Sequence, residues 1–444
     1  MNRSLIICDR MILGGLLGVI FFLPFSLAFI NISLGIVIIS WVVKKFFEYQ
    51  INPRHVFLQE MKFLSSKMGL ALMAIALLIF LTIPFSHFPA LSLRKFISRY
   101  IQQIFFMYVV SQVVNSRRRL YIILAMLLFS FLLVMVDVAV QYSTGKSIVH
   151  HTVMTLRRVT GPMNHPNDLG TLLVTVLPVT LILTLIGFSK EFACLRSAAF
   201  KSIMACLFLG MIISLGLSGS RGAWLALAIS MISLGIYLKK YKLLILIIFM
   251  LAVFFWVFDT HSLVNRVDIY NIPITQGSVL NPSFTNPFGL PSGYNVFKLF
   301  FNPTSREFYW NTAADVIRRY PWFGCGYSAY VQTLRDLQVG HEEYPHNSLL
   351  HITAELGFIG LILYVWFFTV LILKVREVLS SIARERDLFL IGSALAAGIL
   401  AWAIHSLMDT AWASLQLSVL WWLFIGIVLS LGLIKQGEKS WPSH

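Results

Sequence analysis

The chain has 444 residues, of which 58% are hydrophobic and only 12% charged, against about 45–50% and about 25% in soluble domains. Its mean hydropathy is +0.79 and its formal charge +16. This balance excludes a soluble globular enzyme, and the excess of Lys and Arg fits the cytoplasmic loops of a membrane protein rather than a nucleic-acid partner.

Apolar stretches predict twelve spans, at 11–23, 27–43, 68–87, 96–114, 120–141, 168–187, 202–217, 222–238, 243–259, 347–373, 388–407 and 412–434. The first two form a hairpin broken near Pro24, because one helix from Met11 to Val43 would run about 50 Å through a core of about 30 Å. This hairpin is expected to be retained, although Ser26-Leu27-Ala28 looks like a signal-peptidase site. With the N-terminus inside, 22 of the 35 Lys and Arg fall on the cytoplasmic side, including Arg117-Arg118-Arg119 and Lys239-Lys240-Lys242. Both termini are then cytoplasmic. The layout is nine helices over 1–259, a large periplasmic loop over 260–345, three helices over 346–434 and a cytoplasmic tail over 435–444. The four cysteines, Cys8, Cys194, Cys206 and Cys325, show neither disulfide nor zinc spacing.

Two outer segments are unusual. Residues 142–167 are polar and carry His150, His151, Arg157, Arg158 and His165. The loop over 260–345 exceeds what a connector needs. Its first half is rich in Asn, Pro, Gly and Phe; its second half reads as a helix from a Thr304/Glu307 capping box to Arg319, broken by Pro321, Gly324 and Gly326.

Three residues on that side are candidates for chemistry. Arg221, in Ser218-Gly219-Ser220-Arg221-Gly222, sits at a tight turn between two spans. There it either binds an anion at a helix N-terminus or snorkels to headgroups. Arg306 lies in the first turn of the loop helix, where it is either a solvated surface arginine or, being set against the helix dipole, the partner of an anion such as Glu307 or a phosphate. His346 opens a helix after Tyr344-Pro345, with Gly357 almost directly beneath it and Gly360 about 40° away. Small residues there predict a close helix–helix seam. From the residues alone His346 is either a general base or a hydrogen-bonded structural histidine. The spacing of His341, His346 and His351 does not put them on one helix face, so no metal site is expected. Asp137, Glu355 and Asp409 either form a proton pathway or pair locally at span ends.

The segment His346-Asn347, followed by Gly357-Phe358-Ile359-Gly360, resembles the signature of the O-antigen ligase family. Three further segments are similar to that family in the same order: Arg158-Val159-Thr160-Gly161-Pro162-Met163-Asn164-His165-Pro166-Asn167, Ser218-Gly219-Ser220-Arg221-Gly222-Ala223-Trp224, and Arg306-Glu307-Phe308-Tyr309-Trp310 with Tyr320-Pro321-Trp322-Phe323-Gly324-Cys325-Gly326. The resemblance implies an all-α polytopic membrane protein of about twelve transmembrane helices, similar to class C glycosyltransferases, in the bacterial inner membrane with its active site facing the periplasm. It implies inverting transfer, without metal or other cofactor, of a glycan from undecaprenyl pyrophosphate to a sugar hydroxyl of lipid A-core in lipopolysaccharide biosynthesis. On the matching positions His346 would be the catalytic base and Arg221 and Arg306 would hold the pyrophosphate, with Arg158 a further substrate-binding candidate. The implied partners are the lipid-linked donor, the lipid A-core acceptor and membrane lipids, and no nucleic acid. His-Asn with Gly-x-x-Gly favours a ligase over a polymerase, and the lack of soluble sequence after Ser440 argues against a protein transferase. A polyprenyl-linked glycan transporter is the reading from another class, but it would place its polar site at the midplane, not at the outer edge.

Overall fold

A computed structural model describes residues 2–154, 158–186, 197–240, 303–339 and 342–439. Among these residues the secondary structure is helical, apart from isolated bridge positions such as the pair Lys146 and Val153. In chain order the helices are α1 (Asn2–Phe22), α2 (Leu27–Ile51), α3 (Pro53–Leu64), α4 (Lys67–Thr82), α5 (Pro89–Lys95), a π turn (Phe96–Ile101), α6 (Gln102–Val113), α7 (Arg117–Thr144), α8 (Pro166–Ile186), α9 (Ala198–Ser218) and α10 (Arg221–Tyr237). After the gap in the description come α11 (Pro303–Arg319), α12 (Tyr330–Asp336), α13 (Ser348–Ser381), α14 (Arg386–Ser406) and α15 (Leu415–Lys439).

Nine of the described helices are long and apolar enough to cross a bilayer, and α10 is a shorter apolar helix. The expected span at 96–114 is a composite: α5, the π turn and α6 follow one another without a break. Nine of the twelve expected positions thus carry a helix that qualifies as a span, while the span at 243–259 and the first half of the long loop lie outside the described residues. One element was not foreseen. The segment after the second span, expected to be a connector, holds the end of α2 and all of α3, capped by Asn52, whose side chain accepts from the His55 N–H.

The hairpin of α1 and α2 turns at Leu23–Phe25, and Ser26 caps α2. Gly15 and Gly18 let the two helices close, since a Cβ on Gly18 would lie 2.7 Å from Ser33 Oγ. Helices α8 and α15 are the most enclosed, each 83% buried over its apolar window, whereas α9 is 28% buried. The former make the centre of the bundle; the latter shows most of its apolar surface outward, as a lipid-facing helix does. Both kinds are equally apolar in sequence, because lipid is no less apolar than the interior.

The two ends of the bundle differ in kind. At one end Asp9 pairs with Lys44 and Arg119, Lys45 with Glu60, and Arg117 with Glu385. These are the clusters that the charge pattern assigns to the cytoplasmic side. At the other end the starts of α8, α10 and α13 and the close of α14 meet α11, α12 and the turns after α4 and α7.

Helix α13 contains a break that departs from the expected helix–helix seam. Its 34 residues would extend about 50 Å if straight, more than the bilayer core of about 30 Å. Gly357 interrupts it at φ 66° and ψ −172°, a conformation left to glycine. The loop Pro321–Gly326 fills the break. Cys325 and Gly326 donate their N–H groups to the carbonyls of Ala354 and Glu355, and Phe358 donates to Pro321. A Cβ on Gly357 would overlap the Trp322 carbonyl. The glycine thus serves a docked loop, not a neighbouring helix.

Candidate active site

His346 precedes the first residue of α13 instead of lying inside it, at φ 47°. Such a φ is uncommon outside glycine, although His tolerates it better than most residues. It is held there by its neighbours. Asn347 is the N-cap: its side-chain oxygen accepts from the N–H groups of Leu349 and Leu350 at 2.9 and 3.0 Å. Its amide nitrogen donates to the Leu407 carbonyl at 3.0 Å, and Ser348 Oγ donates to the Asp409 carbonyl at 3.3 Å. The start of α13 is therefore fastened to the turn between α14 and α15.

That fastening brings His346 Nδ1 to 3.0 Å from Asp409 Oδ1. Asp409 also accepts the Thr410 N–H at 2.7 Å. The side chains of His346 and Asp409 are 25% and 15% exposed, so the pair is partly screened from water yet reachable. The Asp409 hydrogen bond raises the His346 pKa, outweighing burial, and the Asp409 charge adds to it. Burial works against ionisation of Asp409, but the His346 hydrogen bond and charge hold it well below the usual carboxylate range. With Nδ1–H directed to a carboxylate, a neutral His346 presents the lone pair of Nε2, the tautomer that a general base needs.

Arg221 begins α10, after Gly219, which closes α9 at φ 59°, and Ser220. Ser220 Oγ lies 3.3 Å from His405 Nε2, and Thr171 Oγ1 of α8 lies 2.7 Å from His405 Nδ1. A Cβ on Gly222 would come within 3.1 Å of Met408 Cβ. The N-terminus of α10 thus rests on the close of α14 and on Met408, the residue before Asp409. A helix start favours negative charge.

Arg158 reaches the same turn. Its Nε donates to the Ser218 carbonyl at 2.7 Å and a terminal nitrogen donates to Asn167 Oδ1 at 2.8 Å. Its stem lies against Gly219, where a Cβ would be 3.2 Å from Nε. One donor therefore braces the Arg221 turn and the other ties it to the start of α8. The segment that follows it is anchored by buried Gln141, which accepts from the N–H groups of Thr160 and Gly161.

Arg306 is half-buried near the start of α11, which runs to Arg319 as expected. Its charge acts on both His346 and His405, and Tyr309, one turn on, meets the His346 ring edge-on at 5.4 Å. Four elements far apart in sequence therefore bring His346, Arg221, Arg306 and Arg158 to one end of the bundle. His165 borders the same space, with Asp409, Arg158, His346 and Glu343 among its charged neighbours; burial pushes its pKa down.

The other carboxylates are occupied locally. Asp137 accepts from Ser147 Oγ and the Ile148 N–H. Glu355 accepts from the Ser328 N–H at 2.8 Å and lies 3.0 Å from His351 Nε2. His351 is buried between the rings of Tyr330 and Tyr344 and shares no contact with His346. Of the three scattered acids, only Asp409 joins the site. Its signal in the sequence was a lone acid in the polar break between two apolar spans.

Residues 206–365 match the family model described as O-antigen ligase. The match contains Arg221, Arg306 and His346 and stops short of Asp409. No curated protein matches the chain.

Proposed function

From the match of residues 206–365 to the O-antigen ligase family model, we propose that the chain is a member of that family and that its reaction is ligation: transfer of a glycan from undecaprenyl pyrophosphate to a sugar hydroxyl of lipid A-core. The observation that carries this reading is the His346–Asp409 pair at 3.0 Å, set at the same end of the bundle as two arginine-bearing helix starts.

Neutral His346 takes the proton of the acceptor hydroxyl at Nε2 as the oxygen attacks the anomeric carbon. The new C–O bond forms while the bond to the pyrophosphate oxygen breaks, and undecaprenyl pyrophosphate leaves with the electron pair. One displacement inverts the anomeric centre. The leaving group gains charge as it departs, and the fixed guanidinium groups of Arg221 and Arg306 stabilise that charge in bidentate form. Asp409 keeps Nδ1 protonated and stabilises the imidazolium that results. Arg158 ties the Arg221 turn to the start of α8 through Ser218 and Asn167. The site belongs on the periplasmic face of the inner membrane, where donor and acceptor meet. The charge pattern supports this side, since the ion-paired groups around Asp9, Glu60 and Arg117 gather at the far end.

The lipopolysaccharide ladder of a deletion strain separates ligation from polymerisation. Loss of a ligase leaves full-length chains on undecaprenyl carrier and bare core. A core carrying one repeat would instead assign the chain to polymerisation.

A further inference from the structure

A cavity of about 190 Å³ lies between α4, the π turn, α12 and the first part of α13. None of Arg158, Arg221, Arg306, His346 or Asp409 lines it. It is nonetheless adjacent to the site: Tyr344 and Trp412 contribute to its wall, two residues before His346 and three after Asp409. The volume is below the roughly 300–1,000 Å³ of pockets that take whole ligands, so it suits one chemical group and part of a ring.

Its polar lining carries two cations. Lys95 and Arg99, four residues apart across the start of the π turn, are both half-buried there. Among the described residues neither forms an ion pair with a carboxylate. Arg99 donates to the Ala413 carbonyl at 2.7 Å, which fixes the guanidinium beside the turn that holds Asp409. The one carboxylate in the wall, Glu355, is already met by His351 and the Ser328 N–H. Two half-buried like charges set four residues apart cost stability unless an anion joins them. The π turn is itself a costly geometry that recurs at functional sites. Gln332 adds an amide, and Tyr327 and Trp412 add aromatic surface, the lining that accepts a sugar ring.

We propose that this cavity is a subsite for a phosphate ester on the acceptor glycan, with Lys95 and Arg99 holding the phosphate and Trp412 and Tyr327 flanking the sugar that bears it. The assignment to the acceptor rests on the transfer reading above; the phosphate site itself does not. Arg221 and Arg306 serve the donor pyrophosphate, and Lys95 and Arg99 serve the second substrate on the far side of the α13 start.

The test is binding of glucose 6-phosphate, glucose and inorganic phosphate to the full-length protein in phosphatidylcholine nanodiscs, read by ligand-observed NMR. The wild-type protein should bind glucose 6-phosphate at least about tenfold more tightly than glucose and more tightly than inorganic phosphate, as a charge-assisted pair requires. Lys95→Gln should remove about tenfold of that preference, and Lys95→Arg, which keeps the charge and controls for folding, should retain it. The double variant Arg221→Ala/Arg306→Ala should bind glucose 6-phosphate like the wild type. Equal affinity for glucose and glucose 6-phosphate overturns the proposal. So does loss of binding in the double arginine variant, which would move the phosphate to the donor site. Displacement of the probe when phosphatidylglycerol replaces half of the nanodisc lipid would assign the cavity to a bilayer headgroup and also overturn it. No arm requires turnover, so a failed glycosyltransferase reading leaves the result interpretable.

Discussion

Asp409→Asn isolates the carboxylate's part in the reaction without changing side-chain shape. In the structure Asp409 Oδ1 lies 3.0 Å from His346 Nδ1 and also accepts the Thr410 N–H at 2.7 Å. Both contacts fall on the same oxygen, so an asparagine that keeps its oxygen there still accepts from the Thr410 N–H and from Nδ1–H. What is lost is the negative charge that stabilises the imidazolium formed during transfer. The difference between a hydrogen bond to a charged group and one to a neutral group is about 1–1.5 kcal/mol, so transfer should slow about five- to twelvefold. The pH profile supplies a second signature. Asp409 raises the His346 pKa, and His346 works in its neutral form. The wild-type acid limb should therefore fall above the about 6.5 of a free imidazole, and the residual activity of Asp409→Asn should extend to lower pH. The assay is glycan transfer by purified protein across pH 5–9, normalised to folded molecules, with donor binding measured alongside. Wild-type rates with an unmoved acid limb would refute the dyad.

Arg221→Lys and Arg306→Lys should each lose most transfer while the protein still inserts, because lysine keeps the charge but not the planar fork; full activity in both would remove the phosphate clamp. Gly357→Ala should lower the melting temperature. A residue with a Cβ at φ 66° costs about 1–3 kcal/mol, and overlap with the Trp322 carbonyl adds about 1–3 kcal/mol; an unchanged melt would contradict the docked-loop account of the break. EDTA should leave transfer unaffected, since no step above uses a metal. Activity lost to chelation and restored by Mg²⁺ would redirect attention to Asp168 and Glu343 and to Asp268, which lies outside the described residues.

Much of the bundle was legible because lipid-facing and interior helices are both apolar, so hydropathy marks a span wherever it sits. The same fact hid the packing. Nothing in the composition of α8 and α9 foretells that one is central and the other peripheral. Arg221, Arg306 and His346 were visible because each stands at a helix start beside apolar chain. Asp409 was seen as an acid but not as a partner, since its pairing depends on a turn 63 residues from His346. Gly357 was read by its angle beneath His346, which presumes an unbroken helix; the loop that fills the break is a tertiary contact with no local signature. Arg158 carried charge and a motif, yet its contact with Ser218 spans 60 residues. Arg157 and His341, also noted in the sequence, lie outside the described residues.

The central claim is that His346 is the base, and transfer per folded molecule by His346→Ala, with donor binding assayed separately, tests it most directly. The account predicts that the variant still binds undecaprenyl-pyrophosphate-linked glycan, through Arg221 and Arg306, and transfers it about 10²- to 10⁴-fold more slowly. His351→Ala is the control: it removes a buried contact to Glu355 in the wall of the neighbouring cavity, so it should lower stability by about 1–3 kcal/mol while each folded molecule still turns over at saturating acceptor. Near-normal turnover by folded His346→Ala would contradict the account.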